Sequence, residues 1–340
     1  MSVILEQAAP ETRQRTADML DHRAKVSVLI LNWNTRELTL QCIESLKQTL
    51  GELEAQIIVV DNGSTDGSAE AFAAQPDICL VRSPENLGFA RGNNLGLPYA
   101  EGEYICLLNS DTIVLPGAVQ RLVNYLDEHP EFAAAGGEHL GPAGEHLPSG
   151  IFFQSLWGDL SLAMGLDKFG SWLLKRKSPL ARLWYAVGTR EVDWLSNSFI
   201  VVRREVIEQV GPLPSEFFLY GEDVEWYWRM RQAGLRVAYV AGAPIIHLIN
   251  QSSKQLYEGN EKSYRYLDAK YIFAARHRNP VSWRIGWLAN ALYWTVLGTR
   301  WRVVQLFTGR EDAGQRARML WKYARYHVDQ VTGKVPPIPR

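Results

Sequence analysis

The chain has 340 residues, 46% of them apolar and 21% charged. That suits one large α/β domain with an appendage, or two domains, and excludes a chain too polar to bury a core. Net charge is only −1, but residues 262–340 carry fifteen Lys/Arg against four Asp/Glu, so the tail is basic and the remainder acidic.

Residues 1–24 form a polar extension of mixed charge without an apolar core, so no signal peptide is expected there. The first regular element is "VSVLIL" (26–31), a buried strand. It is followed by "TRELTLQCIESLKQTL" (35–50), an amphipathic helix with Thr35 at its N-cap. "QIIVV" (56–60), "ICLVR" (78–82) and "YICLLN" (104–109) read as further strands separated by short helical stretches. Strand and helix in alternation predict a parallel sheet covered on both faces. Cys42, Cys79 and Cys106 fall in these core segments without metal-like spacing, so they are expected as buried free thiols in a reducing compartment.

In such sheets ligands bind beyond the carboxyl ends of the strands. Asn32-Trp33-Asn34, Asp61-Asn62-Gly63-Ser64, Pro84-Glu85-Asn86 and Asn109-Ser110-Asp111 each follow a predicted strand. One such cluster is turn chemistry; four at one edge argue for a site. Asp61 suits a ribose hydroxyl or a base N–H, or equally an Asx-turn. Asp111, before a helix expected from Pro116-Gly117, is a helix cap or a ligand for an oxygen-preferring cation. The loop 86–94, with Gly88, Arg91 and Asn94, offers backbone N–H groups and a cation to phosphate. No P-loop or well-placed Gly-x-Gly-x-x-Gly supports an ATPase or a dehydrogenase.

Residues 141–193 break the rhythm with aromatic, amphipathic stretches and a basic knot at Lys175-Arg176-Lys177, as an insertion or lid would. "VDWLSNSFIVV" (192–202) resumes the sheet, and a helix is expected over 203–210. In "FFLYGEDVEWYWRMRQAG" a helix starts near Glu222-Asp223, whose carboxylates either favour the helix dipole or supply a general base. His247 follows a strand-like "APII" and is a structural histidine or part of a metal shell.

Six stretches in order, "VSVLILNWN", "IIVVDNGSTDGS", "NLGFARGNNLG", "YICLLNSDT", "WLSNSFIVVRREVIEQVG" and "FFLYGEDVEWYWRMRQAGLRVAYV", resemble glycosyltransferase family 2 over residues 25–255. These are inverting enzymes of the GT-A fold, and the likeness is greatest to bacterial rhamnosyltransferase-like members. The resemblance implies a mostly parallel sheet with helices on both faces and a nucleotide-sugar donor held by Asn32, Asp61, Asn86, Gly88, Arg91, Asn94 and Asn109. It also implies Mg²⁺ or Mn²⁺ on Asp111 with His247, and Asp223 beside Glu222 as the catalytic base. Asn109 stands where the family's Asp-x-Asp has its first Asp. The implied acceptor is a saccharide, polyprenyl-linked or on a growing surface polysaccharide. A nucleotidyltransferase and a non-catalytic carbohydrate- or sugar-nucleotide-binding module are the competing readings.

Residues 256–340 form a basic, Trp-rich helical region. Its longest uncharged apolar run, residues 285–299, is shorter than the roughly 20 residues a spanning helix needs. The pairing of Trp and Leu with Lys and Arg predicts contact with a membrane surface rather than nucleic acid, with a helical hairpin or a homodimer interface as the rival. A cytoplasmic protein, peripheral at the inner face of the cell membrane, is expected.

Overall fold

The computed structural model describes residues 24–166, 169, 170, 172, 188–248 and 261–333. The chain begins β1 (Val26–Asn32), α1 (Arg36–Thr49), β2 (Ala55–Asn62), α2 (Ser68–Ala73), β3 (Ile78–Ser83), α3 (Gly88–Gly96) and β4 (Tyr104–Asn109). Next come β5 (Thr112–Val114), α4 (Ala118–Glu128) and β6 (Phe132–Leu140). The interrupting region contributes β7 (His146–Leu147), β8 (Gly150–Ile151), α5 (Leu156–Ala163), β9 (Arg190–Val192) and β10 (Trp194–Leu195). Then follow β11 (Phe199–Arg203), α6 (Arg204–Val210), α7 (Glu222–Gln232) and β12 (Arg236–His247). Three helices close the described chain: α8 (Glu261–His277), α9 (Pro280–Thr308) and α10 (Glu311–Val331).

The main sheet runs β3-β2-β1-β4-β11-β6-β12-β5, with β7 beside β6 and β9 beside β12. Strands β1 to β4 are parallel, but β11 runs antiparallel to both β4 and β6. The sheet is therefore mixed, with a parallel half as the strand–helix rhythm requires. The reason is local: residues 196–198 turn at the carboxyl edge of β4, where Asn109 donates its backbone N–H to Ser198 O at 2.9 Å. β11 can only start at that edge and run back.

Because side chains alternate across a strand, each strand feeds two cores. Val28 and Ile30 of β1 meet Cys42, Ile43 and Leu46 of α1 and Leu122 and Leu126 of α4. Leu29 faces the other way, with Ile105 and Leu107, towards Trp226, Tyr227 and Met230 of α7. Helices thus cover both faces. All three cysteines are free, Cys42 and Cys106 buried and Cys79 partly so. Burial pushes the Cys42 thiol up to about 12, which keeps it from being a nucleophile.

Two local expectations need correcting. Thr35 does stand at the N-cap of α1, but its hydroxyl makes no cap bond. Asp111 does not lead straight into a helix. β-branched Thr112, Ile113 and Val114 form a strand first, pairing antiparallel with β12 so that Thr112 lies opposite His247.

α9 and α10 form a hairpin in which Gly298 lies against the Trp321 ring and Gly314 against Gln305, close approaches a Cβ would block. Trp283 and Trp287 are buried in it, with Ala274 of α8. Arg278 ties the hairpin to α5 by a 2.6 Å ion pair with Asp159, both side chains nearly buried. No described helix is long and apolar enough to cross a membrane. The basic knot at 175–177, residues 1–23 of the extension expected over 1–24 and the expected boundary at 255/256 lie outside the described residues.

Candidate active site

The edge of the sheet is assembled by register. Asn32 lies opposite Asp61, and Leu31 opposite Asn109, so three strand ends stop level with one another. Asn32 is fully buried and joins them. Its Nδ2 donates to Asp61 Oδ1 at 3.1 Å and Ser64 Oγ at 3.0 Å. Its Oδ1 accepts from the hydroxyls of Thr35 at 2.9 Å and Thr39 at 2.7 Å. The Thr35 hydroxyl lies 3.1 Å from Ser110 Oγ. The hydroxyl that might have capped α1 therefore binds two loops of the site together.

A second amide does the same for residues 86–94, expected as a loop but forming the start of α3 from Gly88 onward. Asn62 Nδ2 donates to Asn86 Oδ1 at 3.0 Å, and Asn62 Oδ1 accepts from Leu87 N at 3.0 Å. Gly88 then has φ +81°, and a Cβ there would meet Phe218 O at 2.3 Å. Phe89 N donates to that same carbonyl at 2.7 Å. Glycine at 88 lets residues 218–221 close over the loop.

A cleft of about 300 Å³ opens at this edge. Asn86, Gly88, Asn109, Asp111 and His247 line it, together with Trp33, Asn62, Ser196, Ser198, Phe218 and Tyr220. Of the expected donor-binding residues, Asn32 and Asp61 lie behind this lining. Asn94 exchanges hydrogen bonds with the backbone of Leu213, 2.8 Å to its carbonyl and 3.0 Å from its N–H. Arg91 is exposed on α3, outside the lining.

Asp111 is only 6% exposed, yet borders the cleft. His247 Nε2 stands 3.2 Å from Asp111 Oδ1. The ring of His139 meets His247 edge-on at 5.6 Å, and its Nε2 is buried without a hydrogen-bond partner. Among the described residues no cluster of three or more His, Cys, Asp or Glu is arranged to hold a metal. An oxygen and an imidazole nitrogen at a cleft wall nevertheless suit Mg²⁺ or Mn²⁺, which commonly take one or two protein ligands and complete their shell with water and substrate phosphate.

Tyr220 (φ +69°) and Gly221 (φ +101°) both have left-handed backbone and lead into α7. For a tyrosine that conformation is costly, and such residues gather at functional sites. Glu222 and Asp223 open the helix immediately beyond the cleft wall. Burial pushes the Asp223 carboxyl up to about 6, against the pull of the Val224 N–H at 2.8 Å. Burial, then the Asp223 charge, holds the Glu222 carboxyl well above the usual carboxylate range. Behind them the Tyr227 hydroxyl donates to Asn197 Oδ1 at 3.1 Å.

Sequence reasoning did not single out Ser196, Asn197 and Ser198. They precede β11, and a search for strand carboxyl ends passes over the amino end of an antiparallel strand. Phe218 reads in the sequence as part of the apolar run Phe217-Phe218-Leu219 before a turn at Gly221, and Tyr220 carries no signal of its own.

The family model for glycosyl transferase family 2 matches residues 27–147. An N-acetylglucosaminyl-diphospho-decaprenol L-rhamnosyltransferase of Mycobacterium tuberculosis is 26% identical over 263 residues, covering 73% of this chain and 81% of that protein. An O-antigen chain rhamnosyltransferase of Salmonella anatum is 27% identical, over 65% of this chain and 63% of the relative. A mannosyltransferase of Pyrobaculum calidifontis, solved with GDP-Man and Mn²⁺, superposes with a TM-score of 0.54 at 14% identity, covering 94% of this chain and 92% of its own. That likeness concerns the fold. Residues 27–147 thus match a glycosyltransferase family 2 domain, the sheet has the GT-A fold, and the protein is a glycosyltransferase.

Proposed function

We propose that the protein transfers a sugar, rhamnose, with inversion from a nucleoside diphosphate to a hydroxyl of a polyprenyl-linked or growing surface saccharide. The observation that carries this is the meeting of Asp111 and His247 across 3.2 Å at a cleft whose lining includes Phe218–Tyr220, which lead directly into Glu222-Asp223. The names of the relatives supply the sugar and the acceptor class.

Asp111 and His247 would hold the cation. When bound, it supplies positive charge against the departing diphosphate. The chain's own residues do the rest. Asn86 and Gly88 border the donor side of the cleft, and Asn32 keeps Asp61 fixed behind it. Asp223 takes the proton from the acceptor hydroxyl. A base held near 6 is ionised at neutral pH yet still basic enough to accept a proton. Burial disfavours the ionised form of Glu222 more than that of Asp223, which favours Asp223 as the base. One displacement on the face opposite the leaving group inverts the anomeric carbon and requires no covalent intermediate.

A polyprenyl-linked acceptor would bring the cleft beside a membrane. Supporting this, α9 exposes Val281, Ile285, Leu288, Leu292, Val296, Val303 and Leu306 at helical spacing. Arg284, Arg300, Arg302 and Arg310 accompany them without an acid over 280–310. The stripe is aliphatic apart from Phe307 at its end, since Trp283 and Trp287 are used in the hairpin core.

A panel of dTDP-, UDP- and GDP-sugars, with N-acetylglucosaminyl-diphospho-polyprenol as acceptor and free nucleoside diphosphate as readout, tests the reading. Turnover of dTDP-rhamnose into an inverted glycoside is the expected result. Binding without turnover of any donor would favour a non-catalytic module.

A further inference from the structure

The C-terminal helices reach the catalytic helix through α8. Glu225, in the first turn of α7, is buried. Its two carboxylate oxygens lie 2.9 and 3.0 Å from Nε2 of His277, near the end of α8. Arg276 stands 3.7 Å from the same carboxylate and 3.2 Å from Glu216. The His277 ring packs at 4.8 Å from Trp228 and 5.2 Å from Phe273, so it has little freedom to turn. A Cβ on Gly221 would meet Ala269 of α8 at 3.0 Å. The turn that delivers Asp223 therefore leans on α8 throughout.

Helix geometry gives this contact a direction. Successive residues are about 100° apart, so Asp223 and Glu225 leave the turn about 200° apart, on opposite sides. Glu225 is gripped on one side, and the rotation of the turn, hence the aim of Asp223, is set on the other. The need for a grip is evident in the approach, since Tyr220 and Gly221 are both left-handed and a relaxed chain would not hold them so.

We propose that His277 is a positioning residue: its bond to Glu225 fixes the first turn of α7 and thereby aims the Asp223 carboxylate at the acceptor hydroxyl. The C-terminal helices are then part of the catalytic apparatus as well as its support. This rests on Asp223 being the base.

A double-mutant cycle in the full-length protein tests it, with dTDP-rhamnose and N-acetylglucosaminyl-diphospho-polyprenol, or with the donor the panel shows to turn over. His277→Ala should lower kcat about 10- to 100-fold, the scale of a small misplacement of a reacting group, with the KM for donor unchanged. His277→Gln, which keeps an N–H donor, should recover most of the loss. Should the alanine variant melt, His277→Leu fills the aromatic cage without the donor. In the Asp223→Asn background, His277→Ala should cost nothing further, because the group it aims is gone. A wild-type kcat in His277→Ala, or a double variant slowed by the product of the two effects, overturns the proposal while leaving Asp223 as base. Near wild-type kcat in Asp223→Asn alone overturns both.

Discussion

Asp111 and His247 belong to strands far apart in the chain, and only the pairing of Thr112 with His247 brings their side chains to 3.2 Å. Each was visible in the sequence as a polar residue at a strand end, and the family resemblance put the two together; the strand pairing that joins them was not legible, because β5 is three residues long and reads as the lead-in to a helix. The cleft-facing Asn109 shows what the missing first carboxylate became. Its amide donates to Ser198 Oγ at 3.2 Å, so it braces the 196–198 loop, where a second carboxylate would add charge. With one carboxylate and one imidazole, cation affinity should depend strongly on Asp111. Asp111→Asn is expected to weaken Mn²⁺ binding at least tenfold, measured by electron paramagnetic resonance in the presence of dTDP, with the melting temperature little changed. Unaltered Mn²⁺ binding would assign the cation elsewhere.

Among the elements, β1 to β4, α1 and α2 follow directly from hydrophobic periodicity, since apolar runs ended by Asn and Asp leave few other folds, whereas α3 (Gly88–Gly96) reads as a loop because its three glycines hide the helix. The antiparallel β11 and the split of residues 190–203 into three strands did not, because a sequence period shows a strand's existence and not its direction. The same holds for Gly88. In the sequence it is one of several glycines in a loop; in the fold it is the one over which the 218–221 segment closes. Gly88→Ala would force a left-handed alanine, about 1–2 kcal/mol, and press a methyl group into Phe218 O. It should lower the melting temperature by several degrees and kcat more than tenfold. Gly144→Ala, also left-handed but with open space around it, should show only the first effect. Equal loss of activity in both variants would deny Gly88 its role in seating the loop before Asp223.

At the scale of the whole molecule, a GT-A sheet and a helical hairpin are joined through Asp159–Arg278 and Glu225–His277. The hairpin keeps its tryptophans and leaves an aliphatic, arginine-flanked stripe outside. A surface of that kind gains from anionic lipid about 1 kcal/mol per Arg near the headgroups, and loses it as salt screens the charge. Anionic vesicles should therefore sediment the protein at low salt and release it at high salt, and Leu288→Glu/Leu292→Glu should abolish binding without changing turnover of a soluble acceptor. A stable dimer that ignores vesicles would instead give the stripe to a second copy of the chain.

That Asp223 removes the acceptor proton is tested most directly by the pH dependence of kcat/KM in wild type and Asp223→Asn. With the carboxyl at about 6, activity requires the ionised form, so wild-type kcat/KM should fall as pH drops through about 6. Asp223→Asn should lose kcat by about 10²- to 10⁴-fold and lose that limb. The same substitution should raise the melting temperature at pH 7. A buried carboxyl with a raised value favours the fold in its protonated form, and that advantage is present at low pH and lost as pH rises through about 6. Asparagine has no charge to bury, so the gain in stability should vanish below the ordinary carboxylate range. A variant that is slower, more stable at neutral pH and without an acid limb is the predicted result; a variant within a few-fold of wild type, with the limb intact, would contradict it.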